Sequence, residues 1–299
     1  MKFGPYSFEA SNLDKELFPE SGFTKSDLIE YYTEVADYLL PHAKDRPLAM
    51  HRFPDGIGHE GFFQQTRSEH FSDQVGTLTI DHDEPTGSVE HILCKNADCL
   101  AFLADQGTLT FHRWAARDGA IDRPDLMIFD LDPPDGDMGL LKRAARRVAS
   151  LMRDCQLSPF VMTTGSSGLH VVAPLCPRSD FDSVRELAGR MAGRLADDYP
   201  DELTTEQRVE ARKGRLYLDV MRNAFGQTAV APYSLRARPN APVATPLDWV
   251  ELDKGDLRPD GYTLENIFRR LGQKGDPWAR MFEQAIDLPK ARKGFEALD

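Results

Sequence analysis

The sequence has no long apolar segment, few cysteines and no excess of positive charge, and each absence excludes a class of protein. No window approaches about 18 uninterrupted apolar residues, which excludes a membrane-spanning helix. Residues 1–5 lack the apolar core of a signal peptide, so we expect a cytoplasmic, nucleoid-associated protein with no membrane partner. Four cysteines in 299 residues do not make a disulfide framework, which fits a reducing compartment.

The formal net charge of −12 argues against a protein that coats nucleic acid by bulk electrostatic attraction. An enzyme of nucleic acids with this charge must gather its cations locally and needs metal to hold an acidic centre. Hydrophobic residues at 41% and charged residues at 28% are typical of a globular chain. We expect one catalytic domain over residues 1–299, with an N-terminal lobe to about 120, a core over 121–240 and an extension over 241–299.

The clearest chemical signal is an apolar run, residues 126–132, that ends in Asp130 and Asp132 and is stopped by two prolines. Such a run predicts a buried strand, and side chains that alternate across it put both carboxylates on one face. Two acids on one face repel each other unless a cation lies between them, and their hard oxygens suit Mg²⁺ or Mn²⁺. The competing interpretation is two solvated aspartates at the start of a loop.

From residue 126 the pattern predicts a β-α-β-β-α-β succession, the split βαβ unit, within an α/β (α+β) fold. The strands are expected at 126–132, 160–163, 169–173 and 215–220, and the helices at about 138–155 and 181–199. In this fold the first strand lies between the third and the fourth. Asp130 and Asp132 would therefore lie beside His170 and Asp219 on one face of the sheet.

In the N-terminal part, Thr24 and Asp27 predict a capping box and a helix that ends at Pro41. Lys25 falls in the first turn of this helix, where a cation opposes the helix dipole unless an anion is near. A second helical stretch is expected between His91 and residue 103. In an extended segment, the adjacent rings of Phe62 and Phe63 would point to opposite faces. One ring would then lie in the core, and the other would be free to stack on a base. The alternative is that both rings lie in the core.

Three acids with two cations suit phosphoryl or nucleotidyl transfer, because one metal activates a hydroxyl and the other holds the leaving pyrophosphate. The loop 164–168 (Thr164, Gly165, Ser166, Ser167, Gly168) offers hydroxyls and backbone N–H groups to a triphosphate, and it is not a Walker motif. Arg222, Arg236 and Arg238 could bind a polyphosphate. Two alternatives are a phosphatase of the haloacid dehalogenase type and a DNA-end-binding module without catalysis.

Three segments resemble the motifs of the archaeo-eukaryotic primase superfamily: Asp130-Leu131-Asp132-Pro133, residues 164–172, and Leu218-Asp219 with Arg222-Asn223. More narrowly, the chain resembles the polymerase domain of bacterial ligase D, used in non-homologous end joining, and its stand-alone primase-polymerase relatives. The resemblance runs from about Asn12 to Trp249 and includes residues 22–25, 54–56 and 233–236. It implies a primase-polymerase fold with an RRM-like catalytic sheet, and a template-dependent DNA or RNA nucleotidyltransferase acting at breaks or short gaps.

The resemblance also implies residue roles. Asp130, Asp132 and Asp219 would bind two metal ions, Mn²⁺ or Mg²⁺. The incoming NTP or dNTP would contact His112, Thr164, Ser166, Ser167, His170, Arg222 and Arg236. The 5′-phosphate of the downstream strand would bind Lys15 and Lys25, and the template or DNA end would contact Arg52, Phe62 and Phe63. The implied partners are gapped DNA, a DNA ligase and an end-binding Ku-type protein.

The sequence departs from the family pattern at basic positions. Ser167 stands where the loop commonly has Lys, Thr164 replaces its first Ser, and Gln65-Thr66 follow Gln64 where Lys-His is common. Losing one phosphate contact costs on the order of 1–3 kcal/mol. We therefore expect weaker binding of nucleotide or DNA than in relatives, with the chemistry retained.

Overall fold

The computed structural model describes residues 9–71, 75–81 and 87–298, apart from the side chain of Asp135. Residues 1–8 lie outside the described residues, and they include residues 1–5, which lack the apolar core of a signal peptide. The strands are β1 (Glu16–Phe18), β2 (Phe23–Thr24), β3 (Pro47–Arg52), β4 (Phe62–Gln64), β5 (Gly76–Asp81), β6 (Ser88–Leu93), β7 (Thr108–Trp114), β8 (Leu126–Asp132), β9 (Phe160–Thr163), β10 (Leu169–Pro174), β11 (Leu203–Thr204), β12 (Leu216–Asp219), β13 (Thr228–Val230) and β14 (Pro246–Leu247).

The helices are α1 (Lys25–Glu34), α2 (Ala36–Ala43), α3 (Ala97–Asp105), α4 (Met138–Asp154), α5 (Phe181–Asp198), α6 (Val209–Arg212), α7 (Ile267–Lys274) and α8 (Leu288–Glu296). Short 3-10 turns cover Pro134–Gly136, Met221–Asn223, Trp249–Asp253 and Met281–Gln284. None of the described helices has the length and apolarity that crossing a membrane requires.

The chain divides into two compact units, and each is built from separate stretches of sequence. Unit 1 contains residues 1–114, 228–244 and 262–273, and unit 2 contains residues 115–227, 245–261 and 274–299. Each unit has its own six-stranded sheet among the described residues. The mixed α/β character expected from the sequence is therefore confirmed.

Unit 2 contains the predicted β-α-β-β-α-β succession in the order β8, α4, β9, β10, α5 and β12. Its sheet has the strand order β11-β12-β8-β10-β9-β14, so β8 lies between β10 and β12 as predicted. Asp137 begins α4 because its side chain accepts the N–H of Leu140 at 2.9 Å, and Asp180 begins α5 in the same way through Ser183. Both helices pack against the sheet, and the predicted bounds agree to within one residue at each end.

Unit 1 has a sheet of strand order β13-β7-β3-β6-β5, with β4 paired to one part of β3. The predicted capping box is present, since Asp27 accepts the N–H of Thr24 at 2.7 Å and Thr24 caps α1 in return. Helices α1 and α3 pack together over a core of apolar side chains that includes Leu28, Tyr32 and Leu100. Burial of this apolar surface is the main source of stability for the unit.

Two local predictions for unit 1 are wrong. The first helix breaks at Val35, and Pro41 lies inside α2 rather than ending the helix. Proline there lacks only the N–H that would bond to residue 37, and α2 ends two residues later, so little helical bonding is lost. The stretch from His91 is not helical at its start, because His91 lies in β6 and pairs with Leu78 of β5. The helix begins only after Asn96, whose side chain caps it.

Candidate active site

Strand pairing brings the predicted acidic side chains together in unit 2. On β8, Asp130 is directly opposite His170 of β10 on one side and Asp219 of β12 on the other. Directly opposed residues share a face of the sheet, and Asp132, two residues along β8, shares it too. Asp132 is opposite Tyr217. The predicted positions of the three carboxylates and the histidine are confirmed by this register, whereas their roles stay predictions.

Asp130 is the most buried of the three acids, at 7% exposed, and its carboxylate contacts two basic side chains. The Nε2 atom of His170 lies 3.3 Å from Oδ1, and the Nε atom of Arg222 lies 3.2 Å from Oδ2. Burial alone would raise the pKa of Asp130, but His170 and Arg222 together outweigh it and lower the pKa to about 2. Asp130 therefore stays ionised at neutral pH.

Asp132 has a different environment, at the exposed end of β8. Its Oδ1 atom accepts a hydrogen bond of 3.2 Å from the hydroxyl of Ser167. The surrounding protein atoms and the negative charge of Asp130 both raise the pKa of Asp132. The two acids of the Asp-x-Asp pair are therefore tuned in opposite directions, which is typical of functional sites.

Asp219 completes the face and anchors the end of β12. Its Oδ1 atom accepts the backbone N–H of Met221 at 2.7 Å and lies 3.4 Å from the hydroxyl of Tyr217. Burial and the charge of Asp219 raise the pKa of Tyr217 to about 12, so its phenol remains protonated. The Nε atom of Arg222 lies 3.9 Å from Asp219 Oδ2, which places one guanidinium beside two of the three acids.

The position of Arg222 depends on its neighbour Asn223. Asn223 is fully buried, accepts the N–H of Ile128 at 2.8 Å and donates to the carbonyl of the same residue at 2.7 Å. It also donates to the carbonyl of Val220 at 2.8 Å. The turn Met221–Asn223 is thereby fastened to β8, and Arg222 is held next to Asp130.

The loop 164–168 is shaped by Thr164 and by two glycines. The Thr164 hydroxyl donates to the carbonyl of Gly168 at 3.1 Å and accepts the N–H groups of Ser166 and Gly168 at 3.3 and 3.2 Å. Gly165 has a φ of 66°, a conformation that favours glycine. A Cβ on Gly168 would lie 2.3 Å from the carbonyl oxygen of Leu131, so the loop can lie against the end of β8 only with glycine there.

The donor chemistry of this face suits a divalent cation. Three carboxylates supply hard oxygens of the kind that Mg²⁺ and Mn²⁺ bind. As the side chains stand, no group of three or more His, Cys, Asp or Glu in the described part of the chain is arranged to hold a metal ion. The carboxylates contact Arg222, His170 and Ser167 instead. The residue types therefore fit a cation, and Arg222 supplies the positive charge in this arrangement.

In unit 1, the two lysines predicted to bind a 5′-phosphate lie in one cavity. It has a volume of about 240 Å³ and is lined by Ser11, Asn12, Lys15, Leu17, Lys25, Arg52, Pro54, Asp105, Gln106 and Gly107. The Nζ atom of Lys25 lies 2.7 Å from Asp105 Oδ1 and donates to the carbonyl of Ser11 at 2.8 Å. Lys15 pairs with the exposed Asp55 at 2.5 Å. The anion that the sequence predicted Lys25 to need is therefore present within the protein.

The side chains of Phe62 and Phe63 are both exposed, at 47% and 60%. The expectation that one ring enters the core is wrong, as is the alternative that both do. Strand β4 is short and, among the described strands, pairs only with β3. The guanidinium of Arg52 lies 5.2 Å from the centre of the Phe62 ring. His51 stacks face to face on Phe63, with ring centres 4.2 Å apart and planes 7° apart. The two rings offer a surface on which bases could stack.

His112 and Arg236 belong to unit 1, whereas the other predicted nucleotide ligands belong to unit 2. His112 is opposite Val230 in the pair of β7 and β13, and its ring lies 5.6 Å from that of Phe63. Burial and the charge of Arg236 lower the pKa of His51. The assignment of His112 and Arg236 to the nucleotide stays a prediction from the resemblance.

Two side chains of these sites, His51 and Asp105, were not predicted from the sequence. Asn223 was named only as part of a motif, without a structural role. Lys25 and Asp105 are 80 positions apart, and no short-range pattern pairs them. The alternation of β12 predicts that Tyr217 shares a face with Asp219, and the register confirms this position.

The fold of this chain is that of a polymerase domain. It matches the polymerase domain from Mycobacterium tuberculosis Ligase D, solved in complex with DNA, with a TM-score of 0.87. The match covers 93% of this chain and 99% of that chain at 32% sequence identity. Residues 24–278 match the family of LigD primase-polymerase domains, and the chain belongs to this family.

Two curated relatives take part, by their names, in non-homologous end joining. The multifunctional LigD of Mycolicibacterium smegmatis is 32% identical over 269 residues, which are 89% of this chain and 35% of that protein. The bifunctional LigD of Bacillus subtilis is 32% identical over 281 residues, 93% of this chain and 45% of that protein. This chain therefore spans less than half the length of either relative. Family membership overturns the alternative of a haloacid-dehalogenase-type phosphatase.

Proposed function

We propose that this chain is a template-directed nucleotidyltransferase that extends DNA ends or fills short gaps bounded by a 5′-phosphate. The observation that carries the proposal is the register of β8, which puts Asp130 between His170 and Asp219. Enzymes that transfer phosphoryl or nucleotidyl groups with the help of metal ions commonly have several carboxylates beside a basic side chain. Membership of the LigD primase-polymerase family supports the same reaction.

Asp130, Asp132 and Asp219 would hold the divalent cations, with Mn²⁺ favoured over Mg²⁺. When bound, such cations lower the pKa of the attacking 3′-hydroxyl and stabilise the charge of the leaving pyrophosphate. The low pKa of Asp130 keeps its carboxylate available at neutral pH. Among the described side chains, Ser167 is the one hydrogen-bond donor to Asp132, so little must be broken for the Asp132 oxygens to turn toward a cation.

Arg222, His170 and the loop 164–168 would hold the triphosphate of the nucleotide. Arg222 pairs with Asp130 in the structure, and its planar fork suits phosphate oxygens once a cation neutralises that acid. The hydroxyls of Ser166 and Ser167 lie on a loop whose backbone Thr164 holds in shape. Backbone N–H groups and hydroxyls of such a loop orient phosphates without adding charge.

The cavity of Lys15, Lys25 and Arg52 would bind the 5′-phosphate of the downstream strand, and Phe62 and Phe63 would stack on exposed bases near it. Local cations of this kind are what a chain of net charge −12 needs for contact with DNA. A DNA ligase and a Ku-type end-binding protein would be its partners in end joining, in line with the names of the relatives.

The test is nucleotide incorporation on a gapped duplex, with and without a 5′-phosphate, in Mn²⁺ and in Mg²⁺. Asp130→Ala should abolish incorporation and leave binding of the 5′-phosphorylated duplex unchanged. Asp122→Ala, which removes an exposed carboxylate of the same unit, is the matched control and should behave as the wild type. If the wild-type protein binds the duplex but incorporates no nucleotide in either metal, the proposal fails and the chain is a DNA-end-binding module without catalysis.

A further inference from the structure

The cavity around Lys25 contains its own anion, and that anion is held in an unfavourable place. Asp105 is the last residue of α3, where the helix dipole disfavours negative charge. Its side chain is 8% exposed, and its two oxygens contact Lys25 at 2.7 Å and the amide of Gln106 at 3.0 Å. Lys25 is thus the one cation with which Asp105 is paired among the described residues.

The ammonium group of Lys25 already has two partners. It donates a hydrogen bond to the carbonyl of Ser11 at 2.8 Å and lies 2.7 Å from Asp105 Oδ1, an ion pair that is not aligned as a hydrogen bond. The side chain of Lys25 is only 11% exposed, so water does not replace a lost partner easily. A phosphate that is to be bound strongly by Lys25 must therefore take the place of the Asp105 carboxylate.

The other two cations of the cavity are less encumbered. Arg52 donates to the carbonyl of Gln106 and to the side chain of Gln64, both of which are neutral. These bonds use three of its five N–H donors, and the other two have no hydrogen-bond partner among the described residues. Lys15 pairs with Asp55, whose side chain is 67% exposed and can turn into solvent. The buried carboxylate of Asp105 is accordingly the main internal competitor of a bound anion.

We propose that Asp105 makes this cavity selective for a terminal phosphate over an internal phosphodiester, by occupying Lys25 until an anion of higher charge displaces it. The inference rests on the proposed function, because it takes the cavity to be the 5′-phosphate site. An internal phosphodiester carries one negative charge, the same as the Asp105 carboxylate, so replacing the carboxylate by the diester gains no charge interaction with Lys25. A terminal phosphate carries about −1.5 to −2 at pH 7 and has three acceptor oxygens, so it gains contacts with Lys15 and Arg52 as well.

The experiment measures binding of a gapped duplex by fluorescence anisotropy, without nucleotide or metal. The downstream strand ends in a 5′-phosphate, a 5′-methyl phosphate or a 5′-hydroxyl. Wild-type protein should bind the 5′-phosphate at least about tenfold more tightly than the methyl phosphate, which has the charge of a diester. This comparison needs no variant, and equal binding of the two ends would overturn the inference.

Asp105→Asn should tighten binding of the methyl phosphate by roughly fivefold or more and so reduce the preference for the 5′-phosphate. The control is Asp98→Asn, the same change in the first turn of the same helix, about 10 Å away along its axis. It corrects for the altered net charge and should keep the wild-type preference. Circular dichroism checks that both variants are folded.

The outcomes separate this inference from the proposed function. An unchanged preference in Asp105→Asn, or weaker binding of every end, means that Asp105 only positions Lys25, and the inference fails while the 5′-phosphate site stands. Wild-type protein that binds the phosphate and the hydroxyl ends equally would remove the 5′-phosphate site itself, and the inference with it. Nucleotide incorporation is measured separately and is decided by Asp130→Ala.

Discussion

The side-chain amide of Asn223 is hydrogen-bonded to both main-chain polar groups of Ile128, as a neighbouring strand would be. Ile128 lies in β8, two residues before Asp130 and on the same face. The turn that carries Arg222 is therefore attached to the strand that carries the buried acid, through one side chain.

Asn223→Ala should destabilise the protein by about 2–4 kcal/mol, because it leaves a buried N–H and a buried carbonyl of Ile128 without partners. Urea denaturation of the metal-free protein measures the loss. Asn96→Ala is the control, since that side chain makes one cap bond to Cys99 and should cost only about 1 kcal/mol. Equal losses in the two variants would contradict the structural role given to Asn223.

Gly168→Ala and Gly189→Ala should change stability in opposite directions. At Gly168 the added Cβ would lie 2.3 Å from Leu131 O and 2.8 Å from Asp132 Oδ1, so the loop must move, at a cost of about 2 kcal/mol or more. At Gly189, inside α5, nothing lies within 4 Å of the added atom, and alanine should stabilise the helix by about 0.5–1 kcal/mol. Thermal melts of both variants, with nucleotide incorporation for Gly168→Ala, check the prediction, and an active, stable Gly168→Ala would refute it.

Asp132→Asn should raise the melting temperature of the metal-free protein at pH 7. A carboxyl whose pKa is raised by folding weakens the folded state above that pKa, and the penalty disappears as the pH falls below the ordinary value of about 3.9. The gain should be small, about 1–2 °C, since the residue is partly exposed, and it should vanish near pH 4.

Calorimetry in a chelating buffer at pH 7 and pH 4 measures the effect of Asp132→Asn. Asp201→Asn, at an exposed position of the same unit, corrects for the change in net charge. Added Mn²⁺ should reverse the order, because the wild type gains more from the cation than the variant does. A variant that is less stable than the wild type in the absence of metal would argue against repulsion between the acids.

Ser167→Lys should lower the KM for the nucleotide by about three- to tenfold, because it restores a cation where the family pattern commonly has one. The Ser167 hydroxyl is exposed at the mouth of the acidic face, 3.2 Å from Asp132, so a longer side chain has room to reach out. Steady-state incorporation measures KM and kcat. Ser167→Ala, which removes the hydroxyl without adding charge, is the control, and a KM that is the same in all three proteins would contradict the prediction.

The acidic face could be predicted from the sequence because its causes are local. The alternation of residues 126–132 fixes which side chains share a face, and short connections restrict the order of strands in a β-α-β-β-α-β unit. Asp219, almost ninety positions from Asp130, was placed correctly for this reason. The capping box of Thr24 is a local signal too, and it gave the start of α1.

The other features depend on contacts between distant parts of the chain. The local sequence predicts that the rings of Phe62 and Phe63 point to opposite faces of a strand. It does not predict whether another helix or strand packs on either face. The packing of α1 against α3 brings Asp105 next to Lys25. A sequence motif around Lys25 gives no information about a residue 80 positions away. Pro41 was read as a helix end, although a proline near the end of a helix costs little.

The chain passes from one unit to the other five times, since its six segments alternate between them. During synthesis, the sheet of unit 1 lacks β13 until residue 230 has left the ribosome, and the sheet of unit 2 lacks β14 until residue 247 has. Neither sheet is therefore complete before these points in synthesis. Trimming the chain after Gln227 would remove an edge strand from both sheets at once, so we expect such a truncation to destabilise both units rather than one.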